Sequence, residues 1–409
     1  MNLTLILFCC VYVALAIGHF PGFRLDRTGA VLAGAMLLVA SGGISPEAAW
    51  NAVDYRTVGL LFGLMVISSA FSVAGFYDWI AEQVGNLDIR PEALLAVLIV
   101  VTAGLSAVLT NDVVVVAMTP MLVSICLARG FKPVPFLLGF CFAANIGAAA
   151  TLIGSPQNMI AAEALRLSFV SFMQAAALPA VLGLPVIWGA LAFIYRGRWR
   201  LAAAGQATAM PHAPARLDKV EITKAAVVTL AVIVAFVTTD FPHVAIALAG
   251  ASLLLISRRV ASKDVLQRVD GNLLLLIMGL FVVNAAMTST GLPQKLLGEL
   301  GKIGFNLHDP ISMLLLMSIL SNVVGNNPAV MLVLPFLDGA AHPLALGAAI
   351  ALGTGFSSNA LLFGSLAGII VVEEGRGREV VISLGDFARA GVPVALLSLL
   401  VAGVWVAFL

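Results

Sequence analysis

Long apolar stretches separated by short polar interruptions run the whole length of the chain, and the stretches are sized for a bilayer. One helix needs about 20 apolar residues to cross a hydrocarbon core of about 30 Å. Such blocks lie near residues 2–18, 29–45, 57–76, 92–128, 134–165 and 172–195, and again near 225–240, 243–257, 272–292, 311–338, 343–372 and 387–409. Two blocks in each half are far longer than one span. Between the sets lies a polar segment, Tyr195 to Lys224, carrying Arg196, Arg198, Arg200, Arg216, Lys219 and Lys224. The pattern predicts an all-α polytopic membrane protein without a soluble domain. The first block lacks the positive n-region of a signal peptide and has a counterpart in the second half, so a retained helix is expected.

The polar punctuation is written twice. Leu32-Ala33-Gly34-Ala35, Leu37-Leu38 and Ser41 return as Leu248-Ala249-Gly250-Ala251, Leu253-Leu254 and Ser257, 216 residues on. Asp54, Gly63-Leu64 and Gly75 match Asp270, Gly279-Leu280 and Gly291 at the same offset. Leu105-Ser106, Asn111 and Pro120 match Leu320-Ser321, Asn326 and Pro335 at 215; Gly154-Ser155 and Glu163 match Gly364-Ser365 and Glu373 at 210. Collinear matches that include Asn, Asp and Pro argue for duplication over chance agreement between apolar helices. The chain is therefore divided into a first repeat, 1–195, a cytoplasmic linker loop, 196–224, and a second repeat, 225–409.

Charge orients the copies. Five full spans plus one re-entrant helical hairpin per half (92–128 and 311–338) is an odd number of crossings, so the second repeat is inverted. With the central loop in the cytoplasm, all but four of the 22 Lys and Arg fall on the cytoplasmic side. Arg56, Arg166, Lys295 and Lys302 alone lie on the far side, the asymmetry expected of cytoplasmic loops. Both termini then face the periplasm, and a bacterial inner membrane is the expected location.

Composition narrows the function. The chain is 61% hydrophobic and 11% charged, against about 45–50% and 25% in soluble domains. That excludes a soluble enzyme, a disordered chain and a nucleic-acid binder, and a net charge of +1 offers no field for phosphates. Cys9, Cys10, Cys126 and Cys141 lie in apolar stretches without paired spacing, so neither a disulfide framework nor a zinc site is expected. The five His lie at helix ends or in loops without metal spacing. Trp50, Trp79, Trp188 and Trp199 lie toward span ends, as interfacial anchors do. No G-x-x-x-x-G-K-[ST] loop is present, so transport would run on gradients or on a separate ATPase subunit.

Four polar interruptions stand in the middle of apolar blocks, where lipid cannot satisfy a broken backbone. Thr110-Asn111-Asp112 and Gly325-Asn326-Asn327-Pro328 are the expected hairpin tips. Asp112 is the only ionisable residue between Glu92 and Arg129; a carboxylate there costs about 2.5–3.5 kcal/mol to insert, so a functional role is the default. A plain cap on the hairpin is the competing reading. Asn145-Ile146-Gly147 with Thr151, Gly154, Ser155 and Asn158 predicts one broken helix, and Gly353-Thr354-Gly355 with Ser357, Asn359, Gly364 and Ser365 the other. Close helix packing is the alternative for Gly147, Gly154 and Gly364.

These residues resemble the ion transporter superfamily over essentially the whole chain. It contains citrate-like and dicarboxylate transporters, arsenite pump membrane proteins and a group of sodium/proton antiporters. Dicarboxylate symporters carry Ser-Asn-Thr at each hairpin tip, whereas Thr110-Asn111-Asp112 and Asn326-Asn327-Pro328 are closer to the arsenite pump. Ala144-Asn145-Ile146-Gly147 with Thr151, Gly154 and Pro156-x-Asn158 resembles the superfamily's broken-helix signature, and Gly364-Ser365-Leu366-Ala367 a late motif of the arsenite pump. The resemblance implies a scaffold and a mobile transport domain, elevator-type movement, and often a homodimer. Substrate would be held by Thr110, Asn111, Asn145, Gly147, Thr151, Gly154, Ser155, Asn158, Asn326, Asn327, Thr354, Ser357, Asn359, Gly364 and Ser365, with the coupling ion at Asp112 and Asn111. No cofactor is expected beyond a bound sodium.

The sequence thus predicts a secondary active transporter of a small anion or oxyanion, coupled to protons or sodium, with arsenite or antimonite efflux the leading specific activity. A sodium/proton antiporter and a passive anion channel are the alternatives. A membrane-embedded enzyme is disfavoured, since no carboxylate pair, His cluster or nucleophile–base set stands at midplane.

Overall fold

The computed structural model describes residues 3–19, 22–201, 217–295, 299, 306–337 and 339–409. Arg216, Lys302 and His212 lie outside the described residues. The first half runs α1 (Leu3–Ile17), α2 (Arg27–Ala40), α3 (Pro46–Ala52), α4 (Tyr55–Val73), α5 (Phe76–Gly85), α6 (Pro91–Val108), α7 (Asn111–Ala128), α8 (Pro133–Ala149), α9 (Pro156–Ala164) and α10 (Phe169–Ile194). The second runs α11 (Lys219–Thr238), α12 (His243–Leu255), α13 (Ser262–Leu266), α14 (Gly271–Thr288), α15 (Pro310–Val324), α16 (Asn326–Val333), α17 (Pro343–Ser357), α18 (Leu366–Arg376) and α19 (Leu384–Val406). Among the described residues the extended pairings are single bridges, His19 with Asp26 and Phe131 with Arg200.

The order of elements repeats, and so do the local signals. Pro91 and Pro310 open the first arms of the hairpins, and Pro133 and Pro343 open the helices that follow; a proline at the first helical position has its φ preset and lacks only an N–H that no helix would use. Asp54 and Asp270 cap α4 and α14 through first-turn N–H groups. Among the described residues seven helices, α4, α6, α7, α10, α11, α14 and α19, are long and apolar enough to cross a membrane. The sides of α10 and α11 turned away from the protein carry Leu178, Val181, Leu182, Val227 and Leu230, all largely exposed, the apolar skin expected against acyl chains.

The halves interlock. Helix α2 packs on α14 and, reciprocally, α12 packs on α4; with α1 and α11 they form a framework. Helices α6 to α10 and α15 to α19 pack mainly among themselves as a core. At its centre cross α8 and α17, which are buried nearly all round, as helices without a polar face must be.

Three expectations need adjustment. The helix breaks fall later than predicted: α8 continues through Asn145 and Gly147 to Ala149, and α17 through Thr354 to Ser357. The polar side chains are satisfied without unwinding, so the chain opens only at 150–155 and 358–365. Short α3, α5 and α13 lie in segments where no element was predicted. Trp199 is buried between Tyr195 and Phe136, with ring centroids 6.4 and 5.8 Å away, rather than anchoring an interface.

Candidate functional site

Each hairpin tip is stitched to the helix break of its own half. Only Leu109 and Thr110 separate α6 from α7, and both are buried. The Asn111 N–H donates to Gly154 O at 3.1 Å, and the Thr151 hydroxyl donates to Ala107 O. In the second half Gly325 turns α15 into α16 at φ +91°, a conformation that a side chain would strain. Beyond it the Ser358 hydroxyl donates to Asn326 Oδ1 at 3.0 Å.

Both tips open into one cavity of about 260 Å³ on the boundary between core and framework. The core contributes Asn111, Asp112, Gln157, Asn326, Asn327 and Ser365; the framework contributes Arg27, Thr28, Asp270 and Asn272. These residues stand at the N-termini of six helices, α2, α7, α9, α14, α16 and α18. Each such end carries roughly half a positive charge and free N–H groups. Ser365 and Asp270 cap their own helices, at 3.0 Å to Gly368 N and 3.0 Å to Leu273 N. Helices α7, α9 and α16 have no side-chain cap. The cavity therefore suits oxygen-rich ligands, while Asp112 and Asp270 add carboxylates that a cation could use. Asn327 holds the position of Asp112 in the second copy, at an offset of 215, so the two tips share one carboxylate.

Of the residues singled out from sequence, Asn111, Asp112, Asn326, Asn327, Gly364 and Ser365 line this cavity. The others stand behind it. Asn145 donates to Asn359 Oδ1 at 3.0 Å and to Ser365 Oγ at 3.1 Å. Asn158 closes the first break by donating to Ala148 O at 2.9 Å and Thr151 O at 2.8 Å. Thr354 bonds back to Ile350 O at 2.7 Å, and Ser357 pairs with Ser321 at 2.9 Å. Thr110 and Ser155 are buried at the joint. Gly147 and Gly154 are there for contact: a Cβ would come within 2.4 Å of the Ala103 backbone and 2.3 Å of Ala148 O.

Three buried polar atoms without a hydrogen-bond partner among the described residues belong to residues that line the cavity: Asn111 Oδ1, Asn327 Oδ1 and Arg27 Nε. Such atoms are uncommon in folded proteins. Sequence reasoning missed Arg27, Thr28, Asp270 and Asn272, whereas Gln157 falls within the first predicted break. Arg27 reads as one more cytoplasmic-loop charge and Asp270 only as a marker of the repeat; the available signal was that both begin framework helices.

A second polar recess of about 620 Å³ holds Arg56, Glu163, Arg166, Asp240 and His243. It lies at the opposite end of α4 from Ser72, which bonds Arg268 beside the start of α14. His243 and Arg56 are the repeat counterparts, at 216, of Arg27 and Asn272. His243 Nδ1 stands 3.4 Å from Glu163.

The chain is similar to membrane proteins across its length. It is 27% identical over 401 residues to the 46 kDa membrane protein of Mycobacterium leprae, covering 93% of this chain and 94% of that one. Over 153 residues it is 34% identical to the silicon efflux transporter LSI3 of Oryza sativa subsp. japonica, covering 37% of this chain and 32% of that protein. The crystal structure of the YdaH transporter of Alcanivorax borkumensis matches with a TM-score of 0.55 over 99% of this chain and 98% of that one, at 15% identity, a likeness of fold alone. Residues 11–368 match the citrate transporter model, CitMHS, and the chain, an integral membrane protein, belongs to that transporter family.

Proposed function

We propose that this protein is a secondary active transporter that carries a small oxyanion, or its protonated oxyacid, through the cavity between the hairpin tips. A proton or sodium ion at Asp112 is the coupling ion. The observation that carries this reading is the convergence of six helix N-termini with buried amide oxygens on one small space. The N-termini favour oxygen lone pairs; the unpaired Asn111 Oδ1 and Asn327 Oδ1 require donors. A hydroxylated oxyacid offers both. Arsenite and antimonite are the first specific substrates to test, and likeness to the rice silicon efflux transporter adds a silicon compound, tested as silicic acid. The cavity lies between core and framework, which suits elevator movement of one against the other. A bacterial inner membrane with both termini periplasmic and a homodimer belong to the same proposal, to which drive by a separate ATPase subunit is the alternative.

The test is uptake into proteoliposomes of arsenite, antimonite, silicic acid, phosphate and citrate, with and without proton and sodium gradients. Saturable uptake of an oxyacid or oxyanion that follows one gradient is expected. Unsaturable flux indifferent to gradients would mean a channel.

A second reading, sodium/proton antiport, draws on Asp112 and Asp270 lining the same cavity. It requires sodium-driven proton flux in vesicles free of any oxyacid.

A further inference from the structure

Resting on that oxyanion reading, we propose that Arg27 is the specificity-determining residue of the site. Its guanidinium binds an oxygen of a singly charged oxyanion against the tip of the second hairpin. Arg27 opens α2 and lines the cavity from the framework side. Its Nη1 lies 3.8 Å from where a Cβ on Gly325 would stand, so the bare glycine leaves the space between guanidinium and tip open.

The guanidinium is half-buried, and its Nε has no hydrogen-bond partner among the described residues. Nor does Arg27 enter the ion pairs found among them, although two carboxylates share its cavity. Asp270 is turned to its own helix cap, and Asp112 belongs to the opposite, core wall. A partly desolvated cation without a partner gains from an anion, and a planar five-donor fork suits an oxyanion held by two oxygens. The repeat supplies a comparison inside the molecule: His243, at the equivalent position, already faces Glu163. Of this duplicated basic pair, Arg27 is the one facing the cavity without an acidic partner.

The experiment compares wild-type protein, Arg27→Gln, Arg27→Lys and the exposed control Arg24→Gln in proteoliposomes. The probes are inorganic phosphate and arsenate, buffered where one negative charge predominates, and uncharged silicic acid. For each charged probe that the wild type carries, Arg27→Gln should raise KM about tenfold or more with a smaller change in maximal rate. Arg27→Lys, which keeps the charge but loses the fork, should fall between. Silicic acid uptake and Arg24→Gln should be unaffected. Equal KM values in wild type and both Arg27 variants would overturn the assignment and leave the transport reading standing, as would equal losses for charged and uncharged probes. Wild-type protein that moves none of the oxyanions or oxyacids would overturn that reading, and this assignment with it. Should Arg27→Gln fail to elute as a single species, the wild-type against Arg27→Lys comparison decides alone.

Discussion

Asn145 Nδ2 lies 3.0 Å from Asn359 Oδ1, joining a first-half helix to the break in the second half at the centre of the core. The same amide reaches Ser365 Oγ at 3.1 Å, and Ser365 lines the cavity. This contact links packing to the site. Replacing either Asn by Ala should lower thermal stability in detergent, and the two losses should couple by about 0.5–1.5 kcal/mol in a double-mutant cycle. Additive losses would mean that the pair does not act as a unit.

Asp112→Asn keeps the shape of the first tip and removes its charge. Uptake in vesicles should lose its dependence on pH or sodium while the protein still folds, as judged by elution and melting. Coupled transport at normal stoichiometry in this variant would assign coupling elsewhere, with Asp270 the next candidate in the cavity.

Asn111 and Asn326 come from different halves but face one space. Asn111→Ala and Asn326→Ala should therefore each raise the apparent substrate constant several-fold, because one ligand touches both tips. An effect from only one of them would mean that the tips serve separate ligands.

Gly147 meets the Ala103 backbone where any side chain would collide. Gly147→Val should push α8 from the first hairpin and cost about 1–3 kcal/mol or more. A lowered melting temperature, or loss of the folded peak in size exclusion, is the measure. Unchanged stability would show that the hairpin docks more loosely than described.

Orientation can be read by labelling. In a background without native cysteines, Asp240→Cys and Arg259→Cys, both exposed, should react with an impermeant thiol reagent from opposite faces of the membrane. Labelling from one face would refute the charge-based topology.

The tips were legible because Asn111 with Asp112, and Asn326 with Asn327, set paired amide and carboxylate side chains in the middle of apolar blocks whose other polar residues are mostly Ser and Thr. The repeat was legible because Asn, Asp and Pro recur at a nearly fixed spacing. The framework wall was not. Arg27 and Asp270 sit at helix starts, where charge and N-caps are ordinary, and only tertiary packing carries them to residues hundreds of positions away. Asn145 shows the opposite limit: a polar residue in an apolar block can mark an unwound segment or a buried bond in an intact helix, and its partner Asn359 decides which.

The tips differ by one charge, Asp112 in one copy against Asn327 in the other. If Asp112 carries the coupling ion as proposed, one elementary charge is exchanged at the tips per turnover. Each tenfold difference in the electrochemical activity of the driving ion, membrane potential included, is worth about 1.4 kcal/mol, so such a machine would sustain at most a tenfold accumulation of uncharged cargo per tenfold electrochemical difference. A steeper accumulation would demand a second coupling ion in the cycle, with Asp270 in the same cavity a candidate to hold it.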